Sequence, residues 1–384
     1  MIATRTSRPP LWRDVRVLKW AFQLAVLVAA VALVYVLVIN VNRNSERLNI
    51  PTDFGYLDNP SQFPIPDSDF RQTQPVRDAV GQGLINTVRV SVAGMVLATI
   101  LGTLVGVARL STNWLVRSAA TAFVETIRNI PLLLIVIFSY GSLAITTFPR
   151  IDEAWEPGGV AILSNRGVYV PALEEAPPFL GVVAVALLAA WAVSRWRREV
   201  ADRTGTPSHG GLLATATAAA VLIAGWFAVG AAFDVPVLEG RIASGGLRIS
   251  PELFAIGFAL VIYTASHIAE IVRGSIQAVA SGQGEAAWAL ALSPIHRLRD
   301  VILPQAFRIA IPPLGNQYLN LTKNSTLGAV VSYYELAQVT SISVGNGAPA
   351  VPAYLLTLGI FLVLSLVISA LVNVANRRAA VVTR

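Results

Sequence analysis

The stretch WAFQLAVLVAAVALVYVLVI, from Trp20 to Ile39, carries no charge and only one amide, Gln23. A bilayer's hydrocarbon core is about 30 Å thick, and a helix rises about 1.5 Å per residue, so a run of this length spans it. A cleaved secretory signal has a shorter apolar region and a small-residue cleavage site. Here the run passes through Tyr35 and Ile39 to Asn40 and reads as a retained anchor. The composition agrees with it. Of 384 residues, 54% are hydrophobic and 13% charged, against about 25% charged in a soluble domain. That excludes an ordinary soluble enzyme, and a disordered chain would need the opposite balance.

Seven further apolar runs follow: Ile85 to Ala108, Leu115 to Phe148, Phe179 to Val193, Leu212 to Phe233, Leu253 to Ala269, Phe307 to Leu336 and Ala353 to Val374. The third is too long for one simple span. Glu125, Arg128, Asn129 and Pro131 interrupt it, which predicts a bent helix or a segment lying before the membrane. The seventh is broken by polar residues, and Pro312-Pro313 predicts a break in its helix. The expected fold is all-α, a polytopic helical membrane protein with about eight transmembrane helices.

Charge placement orients the chain, because Lys and Arg collect in short cytoplasmic loops. With the N-terminus inside, the inner segments hold Arg5, Arg8, Arg13, Arg16 and Lys19, then Arg109, Arg117, Arg195, Arg197, Arg198 and Arg203. They continue with Arg273, Arg297, Arg299, Arg308, Arg377, Arg378 and Arg384. The longer outer loops hold fewer: Arg43, Arg47, Arg71, Arg77, Arg150, Arg166, Arg241 and Arg248. Both termini are therefore expected in the cytoplasm. The net charge of +7 follows this placement and implies no nucleic acid partner. Two outer loops are rich in proline, residues 40–83 and 149–177; each reads equally well as a solvated connector or a docking surface for a soluble partner.

Several chemistries are absent. There is no cysteine, and the three histidines (His209, His267, His296) are scattered, so neither a metal site nor a nucleophile–base constellation is expected. Lys19 and Lys323 are the only lysines, and neither follows a glycine-rich turn ahead of Ser or Thr as a phosphate-binding loop requires. No catalytic residue, metal or cofactor is expected, and any ATP must be spent by another chain.

Between the sixth and seventh runs lies Glu285-Ala286-Ala287-Trp288-Ala289-Leu290-Ala291-Leu292-Ser293-Pro294, continuing to Val301-Ile302-Leu303-Pro304. The Ala- and Leu-rich part predicts a helix over 284–292. Ser293 then suits an N-cap and Pro294 the first residue of a second helix, which Pro304 should end. Trp288 and Leu292, one turn apart, would present an apolar knob, and exposed apolar surface marks docking sites. A loop folded back on the helix ends is an equal reading of the spacing alone.

This segment resembles the EAA loop of ABC importer permeases. Glu285, Ala286, Ala287, Leu303 and Pro304 match that pattern, with Val301 at its aliphatic position. Ala291 stands where the pattern has glycine, which suggests that this residue stays helical and that the turn falls at Ser293-Pro294. Three more segments resemble polar amino acid permeases: Glu125 to Leu133, Ala269 to Gly274, and Leu321-Thr-Lys323-Asn-Ser325-Thr-Leu327. Phe54-Gly-Tyr-Leu57 and Phe63-Pro-Ile-Pro66 resemble the larger subfamily that takes many L-amino acids and has extra spans between its conserved halves. The resemblance implies a type I ABC importer permease core with extra helices. Its implied organisation is an anchor and Pro-rich periplasmic loop (1–82), a first core part (83–148), an insertion with a periplasmic loop and transmembrane hairpin (149–250), a second core part (251–376) with the coupling loop at 281–304, and a cytoplasmic tail (377–384). It also implies a bacterial inner-membrane location, a cytoplasmic ABC ATPase dimer, a second and different permease, and a periplasmic amino-acid-binding protein as partners.

Ionisable groups inside spans cost about 2.5–3.5 kcal/mol on insertion scales, so they face cavities or partners. Glu270 with Arg273 and Glu125 with Arg128 are spaced to pair along a helix. Lys323 with Asn324, Ser325 and the nearby Asn320 is a candidate for meeting a substrate carboxylate; the alternative is a lysine that holds helix ends. His267 reads as a hydrogen-bonded packing residue. Gly94, Ala98, Gly102 and Gly106, at spacing four, form a ridge that admits a close helix from this subunit or a second one. The competing function is a secondary amino-acid transporter driven by an ion gradient, which would require an internal repeat and mid-membrane acids.

Overall fold

The computed structural model describes residues 14–48, 50–174, 176–205 and 210–379. Arg5, Arg8, Arg13, His209 and Arg384 of the sequence reading lie outside them. In chain order the helices are α1 (Val15–Leu48), α2 (Val76–Ala108), α3 (Trp114–Arg128), α4 (Leu132–Phe138), α5 (Ala176–Thr204), α6 (Gly210–Val229), α7 (Pro251–Gln277), α8 (Ser281–Ala289), α9 (Pro294–His296), α10 (Leu303–Asn324), α11 (Leu336–Gly345) and α12 (Ala350–Ala379). Six of these, α1, α2, α5, α6, α7 and α12, are long and apolar enough to cross a membrane. The third run is long and apolar enough only as a bent pair of helices. There α3 meets α4, with its π-helical extension Ser139–Thr147, at 99°. The bend falls at Asn129 and Pro131, where helix α3 is capped and a proline opens the next one. The seventh run forms α10, less apolar than the six but packed antiparallel to α2, Tyr318 against Thr99 and Leu321 against Gly94.

The small-residue ridge decides how the bundle is built. A Cβ on Gly102 would lie 2.7 Å from the Ala265 carbonyl oxygen, and one on Gly106 would lie 2.7 Å from that of Ala269. The ridge thus receives α7 of the same chain, and α2 and α7 run parallel in near backbone contact. On the other side, Leu321 of α10 packs over Gly94. Val90, Ala98, Ile256, Leu260, Ile268 and Leu321 form the centre of the core, together with Leu132 and Val136 of α4. Asn86 and Thr87 of α2 fix the start of α11: the Asn86 amide donates to the Tyr334 carbonyl (2.8 Å), and the Thr87 hydroxyl accepts from the Leu336 N–H (3.0 Å).

Beyond the helices the chain forms seven short strands, an addition to the all-α expectation at the end where α7 begins. They are β1 (Ile162–Ser164), β2 (Gly167–Val170), β3 (Ala172–Leu173), β4 (Phe233–Asp234), β5 (Val237–Glu239), β6 (Ile242–Ser244) and β7 (Leu247–Ile249). β1, β2 and β7 form one antiparallel sheet, and β3–β4 and β5–β6 pair separately. Ile151, Ile162 and Tyr169 make a small core beneath Leu238 and Ala243. Asp67 of the Pro-rich loop binds Arg248 of β7 at 2.7 Å, and Phe63, Ile65 and Phe70 of that loop pack against Ala79 and Val339. The first Pro-rich loop is therefore held by packing against the bundle, and the second by the small core of its own strands.

Candidate coupling hairpin and intramembrane polar face

The segment after α7 folds into the expected helical hairpin, with its turn two residues earlier than Ser293-Pro294. The Leu292 N–H donates to the Ala287 carbonyl (3.1 Å) and the Ala291 N–H to that of Trp288 (2.9 Å). This is the paired bonding of a Schellman cap, which places the next residue in the left-handed region. That residue is Ala291, at φ +56°. The expectation that Ala291 stays helical is thus overturned: it performs the turn that glycine performs at lower cost. Ser293 is extended and Pro294 opens α9 as expected, although the Ser293 hydroxyl caps nothing.

Pro304 does not end the second helix. The chain runs from α9 through a π-helical stretch, Arg297–Ile302, directly into α10, and Pro304 sits in the first turn of α10. A proline lacks an N–H and crowds the turn before it; the wider π turn accommodates both. Pro312 and Pro313 likewise lie inside α10 without breaking it. The break comes later, at the 3-10 turn Ser325–Val331.

The knob differs in membership from the expected pair. Trp288 is 74% exposed, Leu290 76% and Ile295 70%, while Leu292 is turned partly inward at 37%. Ala287 is buried beneath the hairpin, whereas Glu285, Ala286, Ala291 and Pro304 are exposed and Leu303 is half-buried. Gln305 Nε2 donates to Gln283 Oε1 across the hairpin (3.3 Å), and His296 Nδ1 lies 2.9 Å from Asp300 Oδ2. No group of metal-ligating side chains is gathered among the described residues.

Behind the hairpin, Glu270 collects three guanidinium groups. Arg273, one turn along α7, donates to it as expected. Arg109, at the end of α2, donates to its other oxygen, and Arg128 Nη1 lies 3.9 Å from the same atom. The expected Glu125–Arg128 pair is not formed: Arg128 is drawn to the more buried Glu270, and Glu125 stays exposed, its backbone carbonyl accepting from Asn129 (2.8 Å). Arg109 counts among the inner basic residues, but no local spacing pairs it with Glu270. It meets Glu270 only because Gly106 and Ala269 bring α2 and α7 into register.

On α10, Asn316, Asn320 and Lys323 recur at i, i+4 and i+7 and are all exposed. Their depth is fixed by the Tyr318–Thr99 hydroxyl pair (2.9 Å) and by Leu321 on Gly94, both in the middle of α2. Lys323 makes no ion pair among the described residues. Asn324 is half-buried, and Ser325 is fully buried with its hydroxyl donating to the Thr322 carbonyl (2.7 Å). Ser325 thus serves the helix end and presents nothing outward. His267 packs its ring edge against Tyr263, centroids 4.8 Å apart, and among the described residues it has no hydrogen-bond partner, against the expectation of a hydrogen-bonded packing residue. A further polar residue escaped the sequence reading. Glu335 is fully buried at the start of α11, its carboxylate accepting from the Ala337 and Gln338 N–H groups (2.8 and 2.7 Å). A long acidic side chain is not a favoured N-cap, so only the acid-before-helix pattern hinted at it.

Bundle, hairpin and polar face together fit a class: a multi-pass membrane transport subunit with an exposed apolar knuckle on a hairpin between two core helices. Residues 94–381 match the family described as binding-protein-dependent transport system inner membrane component. The chain is 38% identical over 378 residues to YhdX of Escherichia coli (strain K12), provisionally named an amino-acid ABC transporter permease protein, covering 95% of each chain. It is 37% identical to the general L-amino acid transport system permease protein AapQ of Rhizobium johnstonii, covering 94% of this chain and 92% of that one. To the glutamate/glutamine/aspartate/asparagine transport system permease protein BztB of Rhodobacter capsulatus it is 38% identical, covering 71% and 72%. The chain belongs to the binding-protein-dependent transport system inner membrane component family. It is a multi-pass inner-membrane permease subunit of an ABC importer and not itself an enzyme, and this family works with an ATPase, a binding protein and a second permease.

Proposed function

We propose that this protein lines the path by which L-amino acids enter the cell, paired with a permease of different sequence and fed by a periplasmic binding protein. Both termini and the hairpin at 281–304 lie on the cytoplasmic side, where a dimeric ABC ATPase grips Trp288, Leu290 and Ile295. Glu285, Ala286, Ala287, Ala291, Leu303 and Pro304 form the coupling element. Residues 83–148 and 251–376 act as the permease core, and 149–250 as an insertion. Closure of the ATPase draws the hairpins together, and α7 and α10, joined through them, turn so that the path opens outward. The observation that carries this reading is the apolar knuckle: three large side chains, each more than two thirds exposed, on a hairpin that joins two core helices.

The face of α10 bearing Asn320 and Lys323, with Asn324 at its edge, is the proposed wall of the path. An ammonium held at mid-depth without a counter-ion suits a substrate carboxylate. Uptake of labelled L-amino acids by vesicles holding the whole assembly is expected only with ATP; uptake without ATP or ATPase overturns the reading in favour of a gradient-driven carrier. Glu285→Arg is expected to abolish uptake and ATPase co-purification while the permease still inserts, and undiminished co-purification removes the docking role.

A further inference from the structure

We propose that the groove between α10 and α12 is a release site for the transported L-amino acid, on the hairpin side of the path. The groove encloses about 210 Å³ and is lined by Pro312, Asn316 and Leu319 of α10 facing Ser369, Asn373 and Asn376 of α12. It is smaller than the 300–1,000 Å³ of drug-sized sites, in keeping with a ligand of amino-acid size.

Its lining is unusual for its place. α12 is otherwise among the most apolar helices of the chain, with mean hydropathy 2.8 over its best window. Ser369, Asn373 and Asn376 nevertheless fall at i, i+4 and i+7, on the one stripe of α12 that faces Asn316. None of the four side chains hydrogen-bonds to another described residue. The groove runs from the hairpin-side end of α12, at Asn376, into the membrane. Thr99, bonded to Tyr318, lies about 13 Å along the axis from the end of α2 at Ala108. Asn316 is about 3 Å nearer that end. Asn376 lies beside Arg377 and Arg378 at the hairpin-side end of α12, and Asn373, Ser369 and Asn316 continue from it into the membrane; the inner groups have no described partner and are costly against lipid, which indicates a groove that is wet or filled.

The ligand class follows from the lining. Amides donate and accept, and so does a hydroxyl. The groove carries no formal charge, so it can satisfy both the ammonium and the carboxylate of a zwitterion without the hold of a fixed counter-ion. Weak, charge-free satisfaction is what a release site needs. Asn316 belongs at once to this groove and to the Asn316–Asn320–Lys323 face, so the groove continues the proposed wall toward the hairpin end. The inference rests on that reading of the wall.

The chain contains no cysteine, so Asn373→Cys gives it a single thiol. In the complete assembly reconstituted in vesicles, a membrane-impermeant methanethiosulfonate reagent applied from the ATPase side is expected to label Asn373→Cys. A cysteine-free mixture of L-amino acids, against sucrose of equal osmolarity, should slow that labelling several-fold. Leu371→Cys, on the opposite face of α12, should stay unlabelled. An unlabelled Asn373→Cys, or labelling that ignores the amino acids, overturns the inference. Should that position disturb assembly, Ser369→Cys reads the same groove with a smaller change. Lys323→Met separates the two levels: if it cripples uptake while Asn373→Cys is unprotected, the wall stands and the groove alone falls, whereas unchanged uptake removes both.

Discussion

Ala291 holds a backbone conformation that costs an L-residue about 1–2 kcal/mol. Glycine there would relieve most of this without losing a contact, since the side chain is exposed. Ala291→Gly is therefore expected to slow hydrogen exchange at the Ala291 and Leu292 amides, which close the cap, and to leave ATPase binding intact or strengthened; Ala291→Val should do the reverse. Faster exchange in the glycine variant would show that the turn is held by the docked partner and not by the cap. Glu270 poses the opposite problem. Its carboxylate neutralises one of three arginines that approach it, and Glu270→Gln leaves them repelling one another. The site is about one third exposed, so a loss on the order of 2 kcal/mol is expected, below the full penalty of an orphaned buried charge. Arg128→Gln removes only the longest contact and should be milder. Thermal unfolding of the purified permease in detergent ranks the two, and equal effects would mean the cluster is not centred on Glu270.

Helices were more legible than their neighbours. Runs of apolar residues located every crossing, because in lipid the backbone must bond within its own helix and length follows from bilayer thickness. The spacing-four ridge of Gly94 to Gly106 announced a close helix, but the identity of that helix, α7, is a tertiary fact no local pattern carries. Glu270–Arg273 was visible because both groups sit one turn apart on one helix; Arg109 was not, since it joins them across 161 positions of sequence. Pro304, Pro312 and Pro313 misled for the same reason. Local rules treat a proline as a stop, whereas a π turn and the packing of α10 against its neighbours hold the helix together. The α2–α7 contact yields its own prediction. Gly102→Ala drives a methyl to 2.7 Å from a backbone oxygen, and the helices must part, at a cost of about 1–3 kcal/mol. Gly257→Ala on α7 meets nothing within 4 Å and should gain about 0.5–1 kcal/mol from helix propensity. Melting temperatures that fall for both would place Gly257 against something outside this chain.

Taken as a whole, the molecule is a packed core carrying two loosely attached parts. α1 buries none of its apolar window. α5 and α6 pack chiefly on each other, so tightly that a Cβ on Gly225 would collide with Val182. This hairpin hangs from a two-stranded ribbon, with Ala172 opposite Asp234 and Leu173 opposite Phe233. One step further, the Glu174 N–H donates to the Ala232 carbonyl (3.1 Å), so the two chain ends that lead into and out of the hairpin are already neighbours. Removing 175–231 and joining Glu174 to Ala232 through Asn-Gly would close the ribbon with a turn whose twist matches antiparallel strands. The core loses almost no buried surface by this, because its cluster draws on α2, α4, α7 and α10 and on nothing from α5 or α6. The shortened protein is therefore expected to insert, to melt within a few degrees of the full chain and to retain the ATPase through an unchanged hairpin at 281–304. Should it also transport at the full rate, the α5–α6 hairpin has no part in the path. If transport alone is lost while melting and ATPase binding persist, the α5–α6 hairpin serves transport from outside the core, by its own membrane-facing surface. Collapse of the core on deletion would contradict the packing described, since no contact of the central cluster would explain it.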